Sequence, residues 1–424
     1  MQPIFDEQIK MWKDCGCEVP IKGGYYWLNK GLVKAFSPDG NLHTLYKYKV
    51  NDDLTISISK HKDNKGINFH VESWEETHQR LKSELQVKID ESLDVIRQAV
   101  RDYSDYDFWC ATSTGKDSTV ILDLVQKVVP DIKVMFNNTS CDVADTYRIV
   151  KSHSDWVVNN PKEGFYQWQK RLDFIPRQYS RACCSIFKER NGDLFLRSQS
   201  TKVLQFMGIR NSESNSRADR EYFEKNEKTQ TTNFTSIQCL PIRKWSELDV
   251  WLYMLHNNLE IHPDYKRGYK RVGCMVVCPF ATKISWVLDK YWHTNAYDRW
   301  MKILKEHFIK NSEWCVFNCT IDEYFTKWNG SHAISAIREE VIREMMQYKG
   351  ITDYEVAKQY FNKTCIDCGK AIKSGDVIAM NMKLYGRNLT EFKCKKCLMK
   401  EFNMSKNDWN DKVADFKAQG CKLF

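Results

Sequence analysis

The residues best suited to chemistry are cysteines, and the chain of 424 residues has 16 of them. Four form two close pairs, Cys365-x-x-Cys368 and Cys394-x-x-Cys397, with 25 residues between the pairs. Each pair fits a tight knuckle that aims two sulfurs at one ion. Four thiolates closing a tetrahedron make a structural Zn²⁺ site with no open position for catalysis. The second chemical signal is Ser113-Thr114-Gly115-Lys116-Asp117-Ser118-Thr119. It lies between an expected strand and an expected helix, where backbone N–H groups and the helix N-terminus favour an anion. Gly115 lets the backbone approach a phosphate, Lys116 adds a point charge, and Ser113 and Ser118 add hydroxyls. Asp117 suits this site only as a Mg²⁺ ligand or a turn cap. A solvated turn with an N-cap serine is the plain alternative.

The elements that must position these residues follow from periodicity. Residues 23–75 are β-rich, with a turn at Ser37-Pro38-Asp39-Gly40-Asn41 and alternation over 54–59. Leu81, Leu85, Ile89, Leu93, Ile96 and Val100 recur every three to four residues, as on one face of a helix. From Asp107 the pattern becomes strand, glycine turn, helix, strand (132–136), helix (143–153), which predicts a parallel α/β sheet. A further strand over 203–208 would carry Arg210 and Arg217 to the same sheet edge as the Ser113 loop. Guanidinium forks there can grip phosphate or sulfate oxygens; an Arg/Glu surface network through Glu213 is the alternative. Lys188 is a weaker candidate of the same kind. Tyr25, Tyr26, Trp27, Lys30, Lys34 and the run 46–49 interleave aromatics with lysines. That suits single-stranded nucleic acid, or simply one buried and one solvated strand face.

Composition bounds the rest. Lys plus Arg is 64 and Asp plus Glu 55, a net charge of +9, with 42% hydrophobic residues. This excludes a disordered, collagen-like or coiled-coil chain. The charge permits a nucleic-acid partner without requiring one. The first residues carry charges and no apolar core, and no apolar run reaches membrane-spanning length. The expectation is a reduced, cytoplasmic protein away from the membrane, in which cysteines serve metal or thiol chemistry.

The loop has the form S-x-G-K-D-S, which resembles the pyrophosphate loop of PP-loop ATP pyrophosphatases. Further blocks resemble the phosphoadenosine phosphosulfate reductase superfamily: Asn138–Cys141 with Asp145-Thr146-Tyr147, Cys183-Cys184 with Lys188, and Gly208–Arg217. Pro241-Ile242, Trp245, Asp249–Trp251, Tyr253 and Gly268…Gly273-Cys274-x-x-x-Cys278-Pro279 continue it. The resemblance implies a doubly wound, adenine-nucleotide α-hydrolase-like core. It implies ATP with Mg²⁺ on Ser113, Thr114, Gly115, Lys116, Asp117, Ser118, Gly208 and Arg210, with Lys116, Asp117, Arg210 and Arg217 catalytic. Reductases of this family usually lack the loop lysine; this chain keeps Lys116, as the ATP-cleaving branches do. Cys183, Cys184, Cys274 and Cys278 resemble the four-thiolate site of the iron–sulfur branch and could hold a 4Fe-4S cluster, zinc, or nothing. Cys315-x-x-x-Cys319 competes for a place with Cys274 and Cys278.

The expected organisation is a β-rich region (1–78), a PP-loop α/β core with helical extension (79–355), and a four-cysteine zinc module (356–424) resembling a treble clef or zinc ribbon. The expected activity is cleavage of ATP to AMP and pyrophosphate to adenylate an unknown acceptor, in sulfur metabolism or sulfur transfer to nucleic acid. A sulfur donor or thiol reductant protein is the implied partner. Two alternatives stand beside it. One is a sulfonucleotide reductase that releases sulfite with Cys421 as nucleophile. The other is a zinc-dependent nucleic-acid-binding protein whose nucleotide site is not catalytic.

Overall fold

The computed structural model describes residues 1–51, 54–64, 66, 68–176, 182–214, 217–226, 233–312, 352, 363–372, 374–386, 389, 391–421 and 423. Cys315 and Cys319 lie outside the described residues. The chain divides into two compact units: Met1–Val50, Ile56–Leu172 and Arg181–Met275 form the first, and Asn51–Thr55, Asp173–Ser180 and Val276–Phe424 the second.

The first unit opens with an antiparallel sheet in the order β1 (Gln2–Pro3), β2 (Trp27–Asn29), β3 (Leu32–Phe36), β4 (Leu42–Val50), β5 (Ile56–Lys60). Helix α1 (Asp6–Asp14) follows β1. The expected turn is present: Gly40 takes φ 82°, and its N–H donates to the Ser37 carbonyl at 2.8 Å. In β4, Tyr48 and Val50 are buried while Lys47 and Lys49 are exposed. Tyr26 and Trp27 are also buried. Tyr48 and the two lysines beside it in β4 therefore point to opposite faces, as period-2 alternation requires.

Helix α2 (Trp74–Asp102) starts at a capping box, in which the Ser73 hydroxyl accepts the Glu76 N–H and the Glu76 carboxylate accepts the Ser73 N–H. Its Leu85, Val95, Ile96 and Ala99 enter one hydrophobic cluster with Trp27 and Phe36 of the first sheet and Trp251 of the α/β core. The compact units thus divide the chain differently from the three regions expected. The boundary at residue 78 falls inside α2, whose buried face belongs to both sheets' packing.

The second sheet runs β10 (Phe223–Lys225), β11 (Thr235–Cys239), β9 (Lys202–Phe206), β6 (Asp107–Thr112), β7 (Lys133–Asn137), β8 (Val157–Asn159). Five strands are parallel, and β10 is an antiparallel edge. Helices α3 (Lys116–Gln126) and α4 (Ala144–Ser152) follow β6 and β7. Next come α5 (Phe165–Leu172), the short α6 (Ala182–Cys184), a π-helical turn (Ser185–Arg190) and α7 (Asn191–Gln199). Helix α8 (Glu247–His256) buries six consecutive residues, Asp249–Met254. A turn of helix, α9 (Pro263–Lys266), follows. The chain proceeds from β6 to β7 and β8 on one side and to β9 and β11 on the other. The carboxyl ends of β6 and β9 therefore flank the crevice where such sheets bind ligands.

In the second unit, Thr282 caps α10 (Lys283–Trp292), and α11 (Thr294–Ser312) follows. At its end, α12 (Gly375–Tyr385), α13 (Lys395–Glu401) and α14 (Lys406–Ala418) surround a small core of Val377, Ile378, Met380, Leu398 and Trp409. Among the described residues no helix is long and apolar enough to cross a membrane.

The capping box gives a direct test of the α2 junction. Ser73→Ala leaves the first N–H groups of α2 without their acceptor, and should lower stability by about 1 kcal/mol. Urea unfolding of the full chain followed by circular dichroism reads this as a lowered midpoint.

Candidate active site

Between the ends of β6 and β9 lies a cleft of about 680 Å³, lined by the Ser113 loop, Gly208–Arg210, Glu213, Arg217, Glu247 and Tyr265. The loop is held by its own hydroxyls. Ser118 Oγ donates to the Gly115 carbonyl at 2.8 Å and accepts the Ser113 N–H at 3.2 Å. Thr114 takes φ 56°, so the chain turns sharply before α3 begins. Tyr265, from α9, accepts the Lys116 N–H on its hydroxyl at 3.1 Å.

Three buried charges meet at this point. Asp117 Oδ2 accepts from Lys116 Nζ at 2.9 Å, and its Oδ1 accepts from Arg210 Nε at 2.6 Å. Lys116 and Arg210 are each only 4% exposed, so neither ion is fully hydrated. Burial alone would lower the Lys116 pKa, but Tyr265, Asp117 and Glu247 hold it above its ordinary value. Burial would likewise raise Asp117, yet Lys116 and Arg210 hold it below the ordinary carboxylate value. Asp117 is thus the shared counter-ion of two cations rather than the turn cap.

Gly208 makes this approach geometrically feasible. A Cβ there would sit 2.6 Å from the Asp117 carbonyl carbon and oxygen and 2.9 Å from the Ser118 nitrogen. Those atoms are backbone and cannot swing away. Arg217 is paired to Glu213, which also lies 3.6 Å from Arg210 Nη2. The Arg/Glu network therefore exists, and Arg210 belongs to both it and the cleft. Sequence reasoning missed Glu247, whose Oε1 is 3.9 Å from Lys116 Nζ, and Tyr265. Each comes from a helix about 130–150 positions downstream of Lys116. Lys270 and Arg271 on the lining were missed as well, as were Asn29 and the Lys30 side chain as cleft groups.

Lys188 also lines the cleft. The residue is exposed, but its ammonium turns toward Cys274, and the charge on that sulfur raises its pKa against desolvation. Cys274 is held down to about 6: the Cys141 thiol donates to its sulfur, and the Lys188 ammonium adds to this against burial. Cys141 is correspondingly raised. Cys183 is raised by its contact with Cys184 and feels the charge of Cys274. Three of the four cysteines expected in this set thus interact within the first unit, with Cys141 added. Cys278 belongs to the second unit.

In the second unit the sulfurs of Cys365, Cys368, Cys394 and Cys397 all lie within 4.8 Å of one another. Cys368 and Cys394 are 3.7 Å apart, too far for a disulfide, and all four are free thiols. The Cys365 carbonyl accepts the Gly369 N–H at 2.8 Å, and Gly369 takes φ 67°, closing the first knuckle. Cys394 stands at the N-cap of α13, and Cys397 is in that helix. Four converging sulfurs fit a tetrahedral metal ion. Cys421 packs beside this core.

Residues 107–279 match the phosphoadenosine phosphosulfate reductase domain. The family resemblance is thus carried by residues 107–279, which hold the second sheet. An uncharacterised protein of Methanocaldococcus jannaschii is 31% identical over 214 residues, 48% of this chain and 42% of that one. An adenosine 5'-phosphosulfate reductase of Geobacillus sp. is 28% identical over 191 residues, 43% of this chain and 77% of that one. The crystal structure of a phosphoadenylyl-sulfate reductase from Candida auris in complex with phosphate covers 43% of this chain and 88% of its own, with 20% identity and a TM-score of 0.36. The chain thus spans under half of the first relative. The superfamily's blocks fall on the β6 and β9 edge, while the β2–β3 turn that supplies Asn29 and Lys30 lies outside residues 107–279.

Two substitutions test this geometry. Gly208→Ala should cost about 1–3 kcal/mol by forcing backbone apart, read as a lowered melting temperature. For Asp117, whose folded pKa lies below its ordinary 3.8, the stabilising charge is fully present above that ordinary value. It is lost as pH falls through the lowered folded value. The stability difference between the wild type and Asp117→Asn should therefore stay constant from pH 7 to roughly pH 4 and shrink below it. Melting temperatures across that range check the sign.

Proposed function

We propose that the cleft binds ATP as its magnesium complex and that the enzyme adenylates an acceptor oxygen, releasing pyrophosphate. The observation supporting this most is Lys116. It is a buried, charged lysine at the first position of α3, on a cleft where cations outnumber carboxylates. An ammonium there offsets charge that builds on the phosphate oxygens as the bond breaks. In the step, the acceptor oxygen forms a bond to the α-phosphorus while the bond from that phosphorus to the bridging oxygen breaks. The electron pair leaves with pyrophosphate. The exposed Ser113 and the α3 N-terminus orient the β- and γ-phosphates. Arg210 and Arg217 face the α-phosphate or an anionic acceptor. Lys116 leaves Asp117 for the phosphate, and Arg210 keeps the carboxylate paired meanwhile.

A second reading is a sulfonucleotide reductase. The adenosine 5'-phosphosulfate reductase relatives and the Cys274 thiolate held by Lys188 favour it. It requires an activated sulfate and an external thiol, and no ATP. Cys183, Cys184 and Cys274, which interact within the first unit, are proposed as ligands of an iron–sulfur cluster or of zinc. Thiolates suit both, and the Lys188 ammonium would offset part of their negative charge. Cys365, Cys368, Cys394 and Cys397 are proposed to hold one structural Zn²⁺, which would supply folding energy to a core too small to stand alone.

Incubation of the anaerobically purified chain with ATP and candidate acceptors decides between the readings. Pyrophosphate and AMP formation that falls by at least about a hundredfold in Lys116→Ala supports adenylation. Turnover unchanged in that variant removes the loop from the reaction. Sulfite release from an activated sulfate without ATP supports the reductase instead. Separately, chelation should remove one zinc per chain and expose the 363–423 segment to proteolysis, with Cys397→Ser showing the same sensitivity without chelator. Iron and sulfide in the preparation support the cluster; their absence alongside further zinc excludes it.

A further inference from the structure

A second group of metal-ligating side chains lies away from the cleft and the cysteines. Glu75 and His78 stand three residues apart in the first turn of α2, and this spacing puts both on one helix face. His256 is the last residue of α8. The donor atoms of these three residues all lie within 4.8 Å of one another. His256 Nδ1 is 3.7 Å from Glu75 Oε2. The two imidazoles stack with ring centroids 3.7 Å apart and 14° between planes.

The decisive observation is the state of His78. It is 5% exposed, and its Nδ1 is buried without a hydrogen-bond partner. A ring placed there only for packing leaves that nitrogen unsatisfied, which carries a desolvation cost. A second imidazole and a carboxylate stand beside the ring. The helices that carry them are rigid. Lys88 of α2 bonds Asp249 of α8 at 2.6 Å, and Leu85, Val250 and Trp251 share one core. Donors on packed helices hold a site more accurately than donors on loops.

We propose that Glu75, His78 and His256 bind one first-row divalent transition metal, with Zn²⁺ as the fitting ion, clamping the start of α2 to the end of α8. Two imidazoles and one carboxylate suit zinc, cobalt or nickel. Magnesium and calcium require all-oxygen sets. Three protein ligands leave a fourth position to water. Imidazole lone pairs lie in the ring plane, so two stacked rings cannot both aim at one ion. Loading therefore swings the His256 ring, 40% exposed, off His78.

The test uses the full chain as purified, with its resident metal, and titrates it with Co²⁺. The wild type is expected to take up one cobalt beyond any that exchanges with resident metal, without thiolate-to-cobalt charge transfer. In His256→Ala and Glu75→Gln, both surface substitutions, this extra equivalent should weaken by at least about tenfold. Equal uptake by the wild type and both variants overturns the proposal. So does cobalt uptake that appears only with thiolate charge transfer and release of resident metal. Neither outcome depends on turnover, so the nucleotide reading stands or falls independently.

Discussion

The structure around the cleft depends on one carboxylate. Asp117 accepts from Lys116 on one oxygen and from Arg210 on the other, and all three side chains are largely buried. Two cations brought this close in a poorly hydrated pocket would repel strongly, and removing one partner of such a set leaves an uncompensated charge. Asp117 joins the loop after β6 to the loop after β9, so the two halves of the sheet edge are tied by charge as well as by hydrogen bonds along β6 and β9. The tie also dictates the glycine at 208. The backbones must come near enough for Arg210 to reach Asp117, and no side chain fits between them.

What could be read from the sequence was local. The Ser113 loop, the turn at Gly40 and the two C-x-x-C pairs each declare themselves within a few residues, because turn geometry and knuckle spacing are short-range constraints. The strand and helix alternation of the α/β core was legible for the same reason. Glu247 and Tyr265 were not, since only the winding of the chain brings α8 and α9 back to the start of α3. The Glu75, His78 and His256 group is the extreme case: its third member is 178 positions from the second. The pairing of Asp117 with two cations was not legible, because a loop read alone shows only an acidic residue beside a phosphate site. Its partner Arg210 lies 93 positions away.

The first sheet shows how composition can mislead about function. Its aromatic and basic residues alternate, which on paper resembles a stacking platform for bases. In the fold, Trp27 is fully buried and Tyr26 and Tyr48 nearly so, while Lys47 and Lys49 lie on the face of β4 opposite Tyr48. A platform needs aromatic faces in solvent beside the cations. The sheet's link to the site is instead a tight turn. Lys30 takes φ 49° and Gly31 φ 77° between β2 and β3, and this reversal sets Asn29 and Lys30 on the cleft lining.

That contribution matters to what the cleft can accept. Seven cationic side chains on the lining face three carboxylates, of which Asp117 and Glu213 are already engaged by arginines. The surplus is on the rim, where Lys30, Lys270 and Arg271 are exposed. A rim of this sign attracts polyanions and gives neutral molecules of similar size no such enrichment, because only opposite charge raises the local concentration. Inside, however, Lys116 is not free: a ligand must compete with Asp117 for it. A single weakly charged group gains too little to break that contact, whereas a polyphosphate offers several oxygens at once to the α3 N-terminus, to Ser113 and to Lys116. The buried ion pair therefore acts as a threshold. It favours ligands that bring enough negative charge to replace a carboxylate, while Arg210 keeps that carboxylate from being left alone.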